Sequence, residues 1–92
     1  MIPRKSYVKK PLFHSERGIK VLETLRGYLI RVYEGSSKVR IEARVRDPGQ
    51  CVAALRRARE NNIRLVVYAI GEAYGLESLE IVDEEFLLGR MR

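Results

Sequence analysis

Few residues in this chain could carry covalent or metal chemistry. Glu42 and Arg44 stand two apart with Ala43 between them. On a strand, that spacing puts an acid and a base on one face. Metal-dependent nucleases use the same pairing beside further carboxylates that hold a hard cation at the scissile phosphate. No Asp precedes this strand within its hairpin, so Glu42 reads first as a cross-strand ion-pair partner and only last as the acid of a small metal-dependent nuclease. His14 and Cys51 are each single in the sequence. A lone thiol excludes an internal disulfide, and one His with one Cys leaves no protein-only zinc site. His14 has no Cys, Ser or carboxylate arranged beside it for nucleophilic catalysis. Cys51 falls on an apolar helix stripe, where burial and chemical silence are expected. Neither G-x-G-x-x-G nor G-x-x-x-x-G-K-[ST] occurs, so nucleotide hydrolysis has no support. No metal and no cofactor is expected.

Binding chemistry is better represented. The formal net charge is +6 and the sequence pI is about 9.8, a balance that favours polyanions such as RNA or DNA. The competing explanation is the solvated surface of a thermophilic protein, since Gln50, Asn61 and Asn62 are the only side-chain amides and 33% of residues are charged. Arg4, Lys5, Lys9 and Lys10 lie in a proline-containing stretch without apolar periodicity, read as a basic arm over residues 1–13. Residues 14–92 read as a single domain. Tyr7, Phe13, Tyr28 and Tyr33 are interleaved with the cations, the mixture that contacts phosphates and stacks bases. Arg56, Arg57 and Arg64 extend the candidate RNA-binding set. No run approaches the ~18 apolar residues of a membrane span, and no apolar segment follows the basic start, so a cytoplasmic protein without membrane contact is expected. A domain this small has a thin stability margin, which favours a permanent partner.

These residues must be positioned by short elements. Ser15 can cap a helix with apolar positions Ile19, Leu22 and Leu25, ended by Gly27. Tyr28 to Tyr33 and the alternating Val39, Ile41, Ala43 and Val45 read as a hairpin with one wet face, joined by Glu34-Gly35-Ser36-Ser37. Asp47-Pro48 with Gln50 is a capping box opening a second helix, whose stripe is Cys51, Val52, Leu55 and Ala58 and whose end is Asn61-Asn62. The continuously apolar Leu65 to Ile70 reads as a central strand covered on both faces and parallel to the preceding one. A loop over Gly71 to Glu77, a strand over Leu79 to Val82 and an amphipathic tail over Asp83 to Arg92 follow. The expected fold is α/β or α+β: a small mixed sheet flanked by helices.

Arg64 to Val82 resembles the C-terminal domain of archaeal tRNA splicing endonucleases. In that family a lysine opens an apolar strand, followed at fixed spacing by an alanine, an acidic residue, a glycine and a further strand. The matching positions here are Arg64, Ala69, Glu72, Gly75 and Leu79 to Val82. Leu29 to Gly35, with Tyr33, is similar to the family's tyrosine-containing stretch, and Leu55, Arg57 and Ala58 fit its helix. The resemblance spans roughly residues 17–82 and implies a restriction-endonuclease-like, tRNA-intron-endonuclease catalytic-domain fold. It also implies metal-free RNA cleavage by a tyrosine, a histidine and a lysine. Tyr33 takes the tyrosine position and Arg64 the lysine position, but only Gly35, Ser36, Ser37 and Lys38 fill the loop where the histidine belongs. The resemblance therefore implies a non-catalytic, structural subunit of a heterotetramer, inactive alone. Its partners would be a catalytic tRNA endonuclease subunit and precursor tRNA. The implied partner interface is the acidic loop with Glu72, Gly75 and Glu77, together with Leu79, Ile81, Phe86, Leu87 and Leu88. A free-standing RNA- or DNA-binding protein of a ribonucleoprotein is the alternative expectation.

Overall fold

Caps and turns divide the chain much as its polar punctuation predicts. The computed structural model describes residues 15–91. Helix α1 (Glu16–Glu23) starts where the Ser15 hydroxyl accepts from Gly18 N at 2.9 Å. It stops at Thr24, and Gly27 opens the next strand rather than ending the helix. The reason is tertiary: Thr24 Oγ1 lies 2.8 Å from the Lys20 carbonyl and accepts from Glu72 N at 2.6 Å, which ties the last turn to the sheet.

Strands β1 (Gly27–Glu34) and β2 (Lys38–Val45) form the expected hairpin, turned by Gly35 at φ +71°. Its ladder slips once: Val32 faces Ile41 and Tyr33 faces Val39, which leaves Arg40 as a bulge. Helix α2 (Pro48–Glu60) begins with proline in its first turn, and the Asp47 carboxylate accepts from Gly49 N at 2.9 Å. That bond falls one residue earlier than the expected capping box with Gln50. The stripe Cys51, Val52 and Ala58 is buried, and Asn62 at φ +55° turns the chain out of the helix.

Strands β3 (Arg64–Ala73) and β4 (Leu76–Val82) correct the expected loop over Gly71 to Glu77. The ladder continues through Gly71↔Ser78 to Ala73↔Leu76, and only Tyr74-Gly75 turns, both with positive φ as a two-residue hairpin demands. Gly71 belongs inside the strand because a Cβ there would sit 2.1 Å from the Val21 carbonyl oxygen of α1. The tail, whose conformation the sequence leaves open, forms helix α3 (Glu84–Arg90), capped by Asp83, whose Oδ1 accepts from Phe86 N at 2.9 Å.

The strand order is β2-β1-β3-β4, and each neighbouring pair is antiparallel. The molecule is an α+β fold with a four-stranded antiparallel sheet and three helices among the described residues. The expected mixed sheet is thereby corrected. β2 and β3 run in the same direction, but β1 lies between them. The β1–β2 hairpin already satisfies one edge of β1, and α2 carries the chain across to its other edge.

Apolar residues on one sheet face meet all three helices. Tyr28, Val67, Ala69, Ala73 and Val82 pack with Val21, Cys51, Val52 and Leu87, with Ile30, Val45, Leu55 and Leu65 packed against them. These strand residues face one another in the ladders Tyr28↔Val45, Tyr28↔Ala69, Ile30↔Val67 and Val67↔Val82, so they share one face. Each fully buried branched side chain there contributes about 1.5–3 kcal/mol. The expectation that β3 is covered on both faces is corrected in part: the described helices lie on this one face, and on the opposite face Leu29 and Ile70 are buried while Arg64 is exposed and Tyr68 half-buried. Leu87 is fully buried in this core. It holds α3 down, and it is not a surface offered to a partner.

Candidate nucleic-acid interface

The face opposite the helices carries the side chains of alternate residues, among them Arg31 and Tyr33 of β1 and Arg64 and Tyr68 of β3. Tyr33 and Arg64 are direct partners in the β1–β3 ladder. Their side chains stack, with the guanidinium carbon of Arg64 4.8 Å from the Tyr33 ring centroid. Arg31 lies in the same relation to Tyr68, at 5.1 Å. The two phenol oxygens are 3.2 Å apart. Two aromatic rings and two guanidiniums thus form one continuous surface at the end of the hairpin.

Each guanidinium is held from a second side. Arg31 Nε donates to Glu42 Oε2 at 2.6 Å, the cross-strand pair expected for Glu42. Arg64 Nη1 donates to the Ser36 carbonyl in the β1–β2 turn. Held in this way, the cations lose little side-chain freedom when an anion arrives.

Electrostatics divides the two phenols. The hydrogen bond from Tyr68, helped by Arg31 and Arg64, holds the Tyr33 phenol below the usual tyrosine range. Tyr68 is pushed up by the same bond and by burial. Either hydroxyl can donate in the neutral pair. Bonding to Glu42, then to Tyr33, keeps Arg31 firmly protonated.

A second cluster lies across the same face. Glu77 Oε2 accepts from Arg26 at 2.8 Å, and Glu77 Oε1 accepts from Arg44 at 3.2 Å. The bond from Arg44, then that from Arg26, holds the Glu77 carboxyl below the usual carboxylate range. Four guanidiniums (Arg26, Arg31, Arg44 and Arg64) thus share the face with three carboxylates (Glu42, Glu77 and Glu72, the ladder partner of Glu77), leaving it positive.

The candidate residues read from the sequence are only partly brought together. Arg64 and Tyr33 meet. Arg56 and Arg57 are on α2, on the helix side of the sheet, where Arg56 and Arg59 bond to Glu84 and draw its carboxyl below the usual range, Arg59 most strongly. Arg57 instead lines an apolar hollow of about 640 Å³ between α2 and β2, with Ile41 and Leu65. Arg4, Lys5, Lys9, Lys10 and His14 lie outside the described residues. Of the expected partner interface, Glu72 and Gly75 are exposed, Leu79 is half-buried and Ile81 is 45% exposed. Glu77 is occupied by two arginines within the chain, and Phe86 packs against the core.

Sequence reasoning missed Tyr68, Arg31 and the Arg26–Glu77–Arg44 cluster. Tyr68 was hidden in an apolar run read as covered on both faces. The signal that finds it is parity: Arg64, Val66 and Tyr68 alternate with the buried Val67 and Ala69.

Chemically, the face can stack planar bases on Tyr33 and Tyr68 and pair phosphates with Arg31 and Arg64. Among the described residues no group of three or more His, Cys, Asp or Glu could hold a metal ion. Glu42, the candidate nuclease acid, is committed to Arg31. No match to this chain was found among protein-family models, curated proteins or solved structures.

Proposed function

We propose that this chain binds single-stranded RNA on the sheet face opposite the described helices, without cutting it. One observation carries the reading: two stacked arginine–tyrosine pairs, joined through their phenols, lie side by side on a face that no described helix covers. Single strands expose base faces for such rings, whereas a duplex buries them. The net charge of +6 supplies the attraction to phosphate, and the affinity falls with added salt.

The test is a titration of fluorescent single-stranded RNA with the full chain and with Tyr33→Ala, Tyr68→Ala and Arg64→Ala. Loss of each ring should weaken binding by about 1–3 kcal/mol per stacked base. Arg64→Ala should also flatten the salt dependence. Equal affinity of all four proteins would overturn the assignment.

A second reading is favoured by the meeting of Tyr33 and Arg64, the two positions carried over from the tRNA splicing endonucleases. In this reading the chain is the non-catalytic subunit of such an enzyme, with a catalytic chain and precursor tRNA as partners. Cleavage of an intron-containing precursor only in a mixture of the two chains, with co-elution as one species, would support it. No cleavage and no co-elution would leave the free-standing RNA-binding protein.

A further inference from the structure

The two edges of the sheet are treated differently. At the β4 edge the Leu79 carbonyl accepts from Arg17 Nη1 at 3.0 Å, and Arg17 also pairs with Glu80 at 3.2 Å, so a side chain from α1 occupies that border. β2 is the other edge strand, and no described strand flanks its outer side. Its residues 38–44 are exposed throughout, with Ile41 52% accessible. Natural edges of this kind are ordinarily blunted or paired. The bulge at Arg40 blunts one end of β2, but the stretch from Ile41 to Val45 stays in regular register with β1.

That regular stretch reads Ile-Glu-Ala-Arg-Val. Placed antiparallel against a second copy with Ala43 at the centre, it sets Ile41 against Val45, Glu42 against Arg44, and Ala43 against Ala43. Every crossing is complementary, and the smallest side chain sits on the symmetry axis. The charges extend the pattern inward. Glu42 is already bonded to Arg31, and Arg44 to Glu77. Joining two copies therefore produces, on each side of the axis, an alternating row of Arg31, Glu42, Arg44 and Glu77, with the last two from the other chain. Slipping the register by one residue toward the turn would put Glu42 opposite Glu42 and Arg40 opposite Arg44.

We propose that the occupant of the β2 edge is a second copy of this chain, paired antiparallel about Ala43 to make a continuous eight-stranded sheet. The interface is isologous and closes on itself, so it yields a dimer rather than a fibre. The Arg31–Tyr33–Arg64–Tyr68 faces of the two copies then lie on the same side of one sheet. The inference rests on the β2 edge alone and stands whether or not RNA is the ligand.

Sedimentation equilibrium of the full chain should show a dimer. Glu42→Arg and Arg44→Glu each convert two attractive crossings into two repulsive ones, and each should weaken self-association by roughly tenfold or more. An equimolar mixture of these two variants restores every crossing and should associate again, a result that misfolding of either variant would not give. Ala43→Cys places two thiols within disulfide range across the axis and should oxidise to a covalent dimer, whereas Arg40→Cys, on the bulge, should not. Native Cys51 is fully buried and does not compete. A monomeric wild type, single variants that self-associate unchanged, a mixture that fails to associate, or preferential crosslinking through Arg40→Cys would overturn the proposal.

Discussion

Substituting alanine for Gly71 should separate the close approach of α1 to the sheet from ordinary strand propensity. A methyl group at Gly71 would lie 2.1 Å from the Val21 carbonyl oxygen and 2.8 Å from Thr24 Oγ1. Both obstacles belong to α1 or its cap, so relief requires the helix to move out by about 1 Å to regain an ordinary contact. Overpacking of that kind costs about 2 kcal/mol. The shift also strains the Thr24 Oγ1 bond to Glu72 N, which contributes roughly 1 kcal/mol. The total is about 3 kcal/mol, or a fall in Tm on the order of 10–20 °C for a domain of this size. Two further glycines bracket the result. Gly75 has open space around it but φ +81°, so Gly75→Ala should cost only about 1 kcal/mol of backbone strain. Gly89, in α3, also has no atom within 4 Å and ordinary helical φ, so Gly89→Ala should stabilise by about 0.5–1 kcal/mol. Guanidinium unfolding followed by circular dichroism reads all three as midpoint shifts at constant slope. A Gly71→Ala midpoint at or above the wild-type value would refute the close approach of helix and strand.

Two other expectations concern titration and reactivity. In a spectrophotometric titration near 295 nm, the first tyrosine to ionise should do so below the ordinary value of 10.0 and should vanish in Tyr33→Phe. Tyr68→Phe removes the strongest cause of that depression, so ionisation of Tyr33 should move back up; an unchanged titration in Tyr68→Phe would show that the phenols do not share a hydrogen bond. Burial, reinforced by Asp47, pushes the Cys51 thiol up to about 11. Iodoacetamide at pH 8 should therefore leave the folded chain unmodified and label it only after unfolding, and labelling of the native protein at the rate of a free thiol would contradict the packing of Cys51.

Local signals carried much of this fold. Ser15 and Asp47 cap helices as their residue types predict, and Asp47-Pro48 marks its helix start to the residue, whereas the Asp83 cap was not read. The hairpin alternation gave β2, because edge strands keep one polar and one apolar set. What stayed illegible was pairing. The apolar run of β3 carries no mark of its neighbour, and the adjacency of β1 and β3 was settled by the free edge that the first hairpin left open. The same gap hid the candidate site. Tyr33 was legible as a surface aromatic, but Tyr68 and Arg31 gain meaning only once the β1–β3 register places Arg31 and Tyr33 beside Val66 and Arg64. Gly71 was misread for a related reason: a glycine demanded by a neighbouring helix looks, in sequence, like a glycine demanded by a turn.

The strand order β2-β1-β3-β4 also makes the chain modular. From the middle outward, each side holds a hairpin followed by an aspartate-capped helix: β1, β2 and α2 with Asp47, then β3, β4 and α3 with Asp83. After α1, the chain is thus two ββα modules set against each other in inverted orientation, with no shared sequence to betray the plan. Helix α2 of the first module packs on β3 of the second, α3 packs on α2, and α1 covers β3 and β4, so the two modules share one core. The hinge between them is the short Asn61-Asn62 turn. Where that turn straightens, the second module of one chain can complete the first module of another, and the route to exchange of halves between molecules is the same seam that closes the monomer.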